Sequence, residues 1–468
     1  MVAQLVTSAL QLRPARKFMS GNNFLVKGDL KASFIDPAAD LKHIRGRRGP
    51  DVAFEKAISR TGDDGAGLWS FFETPDKENL MIRKTTYKDN LNRLRQAVCA
   101  FGLLISLAAL PAFGQQIHQL SYNNSNWADQ DLFGAQTDPN TGVAAFVTTP
   151  NDAPHTYYLA NNDHVHQLFY NGVSWSDEDL TTETGAPSAI SKSAVTGFSV
   201  QNFQYVYYIG SDQHLHQLLY NNSIWADSDL TAITSGPLSS TATQLVAFTT
   251  GSPAVHVYYM ASNGHIHQTF NTTGSNWQDQ DLTALTGGPS GNGVWMAGFN
   301  IANFQYVYYV ANTGHVHQLL YNNASWADED LTALTATPAV APGSGVAALV
   351  VPGSKKLRVY LVASNDHILQ MASTNNKVWT SSDLTKKTKG PLADPSNAIV
   401  GFATTPNNQL HIFYVAGNHV NQLFLPTPAT KWQNEDLTVL TNGGTANGVS
   451  GIAGFSLQNL QYVFYVAN

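Results

Sequence analysis

Two histidines two positions apart, a glutamine directly after them, a tryptophan and a pair of aspartates recur as one phrase along this 468-residue chain. The phrase reads HVHQLFYNGVSWSDEDLT at 164–181, HLHQLLYNNSIWADSDLT at 214–231 and HVHQLLYNNASWADEDLT at 315–332. Each of these residue types can do chemistry. Imidazoles two apart on a strand project to one face and could share a metal. A glutamine both donates and accepts toward hydroxyl groups. An indole offers a large apolar face with one donor, and aspartates can serve a metal, an acid–base step or the backbone N–H groups of a turn.

The phrase has seven copies, marked by Trp127, Trp175, Trp225, Trp277, Trp326, Trp379 and Trp432 at intervals of 48–53 residues. Gln119, Gln167, Gln217, Gln268, Gln318, Gln370 and Gln422 hold one place throughout, and Asp131, Asp179, Asp229, Asp281, Asp330, Asp383 and Asp436 hold another. The second histidine (His118, His166, His216, His267, His317) becomes Leu369 and Asn421 in two units; the first is lost once, at Gln116. Zinc needs a third ligand, and neither that ligand nor a reason for the losses is visible. The histidines are therefore expected to hydrogen-bond where units meet, with no metal and no other cofactor. The aspartates are expected to hold turn N–H groups. The tryptophans are expected to pack between units, with a sugar-stacking edge as the alternative. No G-x-S-x-G elbow, H-E-x-x-H or phosphate loop is present. Catalysis needs one asymmetric site, whereas near-copies suit multivalent binding, so the chain is read as no enzyme.

A period of about 50 residues with strand content indicates propeller blades. Each unit reads as four strands: a small-residue strand such as VTGF (195–198), an aromatic strand such as YVYYI (205–209), the histidine strand, and the tryptophan strand ending in Asp-Leu. Gly and Ala suit crowding round an axis. The nearly continuous aromatic and β-branched second strands suit sheets covered on both faces. QQIHQLSYNNSNWADQDL (115–132) supplies only strands three and four, and GIAGFSLQNLQYVFYVAN (451–468) only strands one and two. The expected fold is an all-β, seven-bladed β-propeller of four-stranded blades over 115–468. One blade is shared between the N- and C-terminal strands, which closes the ring without an exposed edge.

The remainder reads differently. Residues 1–114 carry 17 Lys+Arg and 11 Asp+Glu, net +6, while 115–468 carry 9 and 22, net −13. An acidic body argues against nucleic acid as a partner. Residues 81–96 are basic, 97–110 form a 14-residue apolar run holding Cys99, the chain's one cysteine, and PAFGQ follows. That is the pattern of a secretory signal over 81–114, with Ala112 and Gly114 before the cut; a bilayer span needs roughly 20 residues. Residues 1–80 show no clear period and read as a gene-start extension or a poorly ordered segment. The mature protein is expected to be cysteine-free and secreted, extracellular or periplasmic.

The blade phrase resembles the fucose-specific lectin β-propellers of fungi and bacteria. In that family sugar sits between neighbouring blades, held by an Arg, a Glu and stacking aromatics. LRVYLVASNDHILQM (357–371) is the nearest match, with Arg358 at the Arg place and Gln370 at the Glu place. Every other Glu place also holds Gln, while the Arg place holds His155, Tyr205, His256 or Tyr306 elsewhere; the best-known members have six blades. The resemblance implies a secreted, lectin-like protein that binds glycans, fucose or related sugars among them, at several inter-blade pockets. The expected contacts are Gln119, Trp127, Gln167, Trp175, Gln217, Trp225, Gln268, Trp277, Gln318, Trp326, Arg358 and Gln370. The rivals are an extracellular protein-interaction scaffold and a glycan-processing enzyme at the channel mouth. The sixth unit also gathers Lys355, Lys356, Lys377, Lys386, Lys387 and Lys389 beside Arg358, either as a solvated loop patch or as a local site for an acidic glycan.

Overall fold

In six of the seven units an asparagine at the end of the histidine strand closes the next turn with its own side chain. Asn171 Oδ1 accepts from the N–H groups of Val173 and Ser174 at 2.9 and 3.0 Å, and Asn322 does the same for Ala324 and Ser325. Such Asx turns fix where one strand ends and the tryptophan strand begins. The computed structural model describes residues 115–468 apart from 139–140, 192, 242–243, 395, 397, 429, 448–450 and the side chain of residue 294. The expectations for residues 1–80 and for the export segment at 81–114 fall outside the described residues.

Seven four-stranded antiparallel sheets follow from these turns. In blade one the strands Val143–Thr148, Ala153–Leu159, Val165–Tyr170 and Trp175–Asp179 pair in sequence order. Blades two to six repeat the order over 196–229, 246–281, 291–330, 346–383 and 400–436. The seventh sheet joins the two ends: Gln116–Tyr122 pairs with Leu460–Ala467 from Gln116↔Ala467 to Tyr122↔Gln461. Ile452–Leu457 and Trp127–Asp131 complete it. Each innermost strand touches the next, and Ile452–Leu457 returns to Val143–Thr148. The ring is closed.

Packing explains the composition of the inner strands. A Cβ on Gly197 would lie 2.5 Å from the Tyr205 carbonyl and 2.9 Å from the Phe146 ring of the preceding blade, so only glycine fits. The inner strands leave an axial cavity of about 270 Å³. The second strands are buried on both faces; Tyr157, Tyr207, Tyr258, Tyr308 and Tyr360 are all 0% exposed. Seven apolar clusters lie between successive sheets, each joining residues of two blades. Among the described residues no helix is long and apolar enough to cross a membrane.

One element was not expected from the sequence. Six blades end in a five-residue helix: Leu180–Thr184, Leu230–Thr234, Leu282–Thr286, Leu331–Thr335, Leu384–Thr388 and Leu437–Thr441. The invariant aspartate caps each one; Asp179, for example, accepts from Thr182 N at 2.9 Å. A buried Leu180 anchors the turn, and Thr184 Oγ1 bonds back to its carbonyl at 2.7 Å. The Asx turn expected at this place occurs at Asp131, which accepts from Phe133 N at 2.9 Å.

Candidate functional site

The two histidines of the phrase are held by two different carboxylates of the outer strand. The first meets the capping aspartate: His164–Asp179, His214–Asp229, His315–Asp330, His367–Asp383 and His419–Asp436 all lie at 2.7 Å, and His265–Asp281 at 2.6 Å. Burial works against the charged form of Asp179, but the Thr182 N–H, His164 and the Thr182 hydroxyl outweigh it and hold its carboxyl below the usual range. The second histidine meets the earlier aspartate, as in His166–Asp177 at 2.9 Å and His317–Asp328 at 2.7 Å. A tyrosine of the second strand donates to that same aspartate: Tyr158 to Asp177 at 2.7 Å, Tyr309 to Asp328 at 3.0 Å, Tyr465 to Asp129 at 2.9 Å.

This clamp explains the two losses that the sequence left open. In blade five the tyrosine, histidine and aspartate places hold Leu361, Leu369 and Ser381. In blade six Asn421 and Asn434 replace the histidine and aspartate, and Tyr414 donates to Asn434 at 3.1 Å. The partners change together because an unpaired buried carboxylate or imidazole would be costly. Asp179 also brings a third ligand atom within 4.8 Å of those of His164 and His166, as Asp229 and Asp212 do around His216. The Nδ1 atoms of His164 and His166 are already hydrogen-bonded to separate carboxylates, His166 Nε2 faces Asp179 at 3.7 Å, and the arrangement recurs in the blades of His267 and His317. It is a clamp within the blade.

The seven glutamines lie elsewhere, on the face that each blade turns to its successor. Each is 1–8% exposed and sits in a row across three strands, such as Tyr258, Gln268 and Gln280 or Tyr308, Gln318 and Glu329. The tryptophan that covers a row comes from the following blade. Trp326 meets Tyr258 edge-on at 6.2 Å and 74°, and Trp225, Trp432, Trp127 and Trp175 repeat that geometry on Tyr157, Tyr360, Phe413 and Phe464. Trp277 and Trp379 join the clusters of Tyr207 and Tyr308. Gln and Trp of one repeat therefore serve two different junctions.

The junctions are of three kinds. Where one with histidine at the Arg place meets a blade carrying Gln-Tyr, the glutamine bridges the two. Gln268 Nε2 reaches His256 Nδ1 at 2.8 Å, the Tyr258 hydroxyl at 3.0 Å and Gln305 Oε1 of the next blade at 2.8 Å. Gln167 joins His155 and Gln204, and Gln422 joins His411 and Gln461, in the same way. Burial holds His155 and His256 down at about 4 and His411 at about 3, so the three imidazoles are neutral acceptors at physiological pH. At three further junctions a Tyr-bearing blade (Tyr205, Tyr306 or Tyr462) meets an apolar residue or proline, and the bridge is absent. There Tyr207 donates to Gln217 at 3.0 Å, whereas the Tyr308 hydroxyl and Gln318 Oε1 are buried without a partner. The remaining junction, between blades five and six, is the one with Arg358.

A pocket of about 490 Å³ opens between blades three and four, with His256, Gln268, Phe270 and Gln280 on one wall and Gln305, Tyr321 and Trp326 on the other. Polar amides lie beside aromatic faces, the combination that a sugar ring with hydroxyl edges requires. Two sets of residues here were not picked out from the sequence. Gln204, Gln305 and Gln461 precede the Tyr of three of the seven aromatic strands, a regularity readable in FQY, FQY and LQY. Glu178, Glu329 and Glu435 stand on the outer strand directly opposite Gln167, Gln318 and Gln422, and burial raises each carboxyl above the usual range. In these three blades a carboxylate stands one strand further out than the glutamine.

Fold and repeated junctions together define a seven-bladed β-propeller. The model of the fungal fucose-specific lectin family matches residues 110–265 and 236–446. The chain belongs to that family, which supports carbohydrate binding. No curated protein matches it. Among solved structures it is similar to the six-bladed lectin of Aleuria aurantia at 16% identity, over 64% of this chain and 96% of that one, with a TM-score of 0.46. A lectin of Burkholderia pseudomallei aligns at 15% identity over 70% and 97%, with a TM-score of 0.49.

Proposed function

We propose that this protein is a secreted, non-catalytic lectin that binds sugar between consecutive blades and gains avidity from several such sites on one ring. The observation that supports this best is the pocket between blades three and four, where His256, Gln268, Gln280 and Gln305 present amide and imidazole groups beside Tyr321 and Trp326. Family membership makes fucosides the first ligands to try. No carboxylate among the residues lining that pocket is placed to act as an acid or nucleophile, and the contacts recur around the ring, which suits binding rather than turnover. Several shallow sites on a rigid ring raise retention on a multivalent surface by roughly 10²–10⁴.

A glycan array carrying fucosylated, galactosylated and sialylated structures tests the reading. Retention on fucosylated spots, with competition by methyl α-fucoside, is the expected result. Silence across the array would remove the lectin reading and favour a protein-interaction scaffold.

A further inference from the structure

The junction between blades five and six differs from the other six in charge. Seven of the nine Lys and Arg residues in 115–468 lie between 355 and 389, within a body whose net charge is −13. Arg358 stands on the strand Leu357–Val362 opposite Ala372, on the same face as Tyr360, Gln370 and Ser382, which form the next row across the blade. The two rows are about 7 Å apart along the strand. From the helix Leu384–Thr388, the Lys387 ammonium reaches back to the Ser382 hydroxyl. Two cations thus flank buried Gln370 from its two ends. At the Ser382 place three of the other blades hold Glu178, Glu329 and Glu435 and three hold Gln130, Ser228 and Gln280, so in this blade no carboxylate stands across from Gln370 to oppose an anion.

No internal anion answers them. Every ion pair among the described residues joins a histidine to an aspartate. The half-buried Arg358 donates from Nη1 to the carbonyl of its neighbour Leu357 at 2.8 Å. A guanidinium withdrawn from water with only a neutral partner is the arrangement that an incoming anion stabilises. The following blade leaves the junction unbridged, because Leu410 stands where Gln204, Gln305 and Gln461 tie other junctions. It contributes Trp432, edge-on to Tyr360 at 6.1 Å. The site therefore offers an aromatic face, an amide and two cations on either side of that amide.

We propose that this junction binds a saccharide bearing sulfate or carboxylate groups, with Gln370 and Trp432 holding the ring and Arg358 and Lys387 taking the anionic groups at either side of it. The proposal rests on the lectin reading and assigns one of its junctions to acidic sugars. Lys355, Lys356 and Lys377, on exposed loops of the same blade, steer the approach without forming the site.

The test compares retention of the full propeller on fucoidan, a sulfated fucan, with retention on chemically desulfated fucoidan. The wild type is expected to prefer the sulfated polymer at least tenfold in 0.15 M salt, and inorganic sulfate at equal sulfate concentration is expected not to displace it. The Arg358→Gln, Lys387→Gln pair should bring the ratio near one with an unchanged melting transition. The Lys355→Gln, Lys356→Gln, Lys377→Gln triple should keep most of the preference. An equal loss in the triple variant, or full displacement by inorganic sulfate, would show only general attraction of anions and overturn the proposal. So would a wild type indifferent to sulfation. Failure to retain either polymer overturns this inference, and takes the lectin reading with it only if the glycan array is silent too, whereas retention of both without preference overturns this inference alone.

Discussion

Gln268 donates its side-chain amide to Gln305 Oε1 at 2.8 Å across the gap between two blades. Both residues are buried, at 2% and 6% exposure, so the bond lies in a setting where an unanswered partner is costly. Replacing Gln268 by Ala leaves His256 Nδ1 and Gln305 Oε1 without this donor, at a cost of about 1–3 kcal/mol for each buried group that finds no substitute. Urea unfolding is expected to show that loss. Tyr308→Phe is the contrast, because the Tyr308 hydroxyl has no partner and its removal should leave the midpoint unchanged or raise it. A large loss in Tyr308→Phe with none in Gln268→Ala would invert the assignment of bridged and unbridged junctions.

The buried imidazoles make part of the stability dependent on pH. His155 and His256 titrate at about 4 and His411 at about 3 in the fold, against about 6.5 when unfolded. Between those values the unfolded chain binds protons that the fold refuses. Stability from these groups is full above pH 6.5 and falls as the pH drops toward 4. His216 acts in the opposite sense: burial lowers it, but Asp227 and Asp212 outweigh that and raise it, so its contribution is present at low pH and fades as pH rises through its folded value. In His256→Asn, the stability deficit relative to wild type should shrink on going from pH 7 to pH 4.5. A deficit that is constant or grows would mean that His256 is already charged.

Most of the ring was legible in the sequence and most of the site was not, for physical reasons. Strand number, blade count and closure follow from period and turn residues, which act locally: Asn171 makes its turn with its own side chain. The helix at Leu180–Thr184 escaped because five residues carry no periodicity, and only Asp179 as a cap marks it. The site depends on pairing across the gap. Gln268 and Trp326 are 58 positions apart and meet in one pocket, whereas Gln268 and Trp277, which share a repeat, face different neighbours. Nothing in a repeat read alone says which face of it a given side chain will use.

Closure by the shared blade predicts an asymmetry between the ends. Deleting residues 451–468 removes Ile452–Leu457 and Leu460–Ala467 and leaves Gln116–Tyr122 without its partner strand. The exposed edges should cause aggregation or loss of cooperative melting. A chain starting at Gln115 should melt as the full chain does. Calorimetry and light scattering on both truncations check this, and a soluble C-terminal truncation with an unchanged transition would contradict it.

Export is a separate expectation. The basic and apolar runs of 81–110, followed by Ala112 and Gly114, predict a product found outside the cytoplasm that begins near Gln115. Intact-mass measurement of the secreted protein should give that N-terminus. A cytoplasmic chain retaining residues 1–80 would refute it.

Blades of the Gln-Tyr kind (Gln204, Gln305, Gln461) alternate around the ring with blades of the other kind, and seven is odd. An odd cycle cannot be coloured with two alternating colours; somewhere two like neighbours must touch. Here they are blades five and six, where Arg358 faces Leu410 and no amide bridge forms. A ring of six or eight units could make every second junction a bridged one and remain symmetric. With seven, parity alone obliges the molecule to carry one singular seam, and that seam is where its positive charge is gathered.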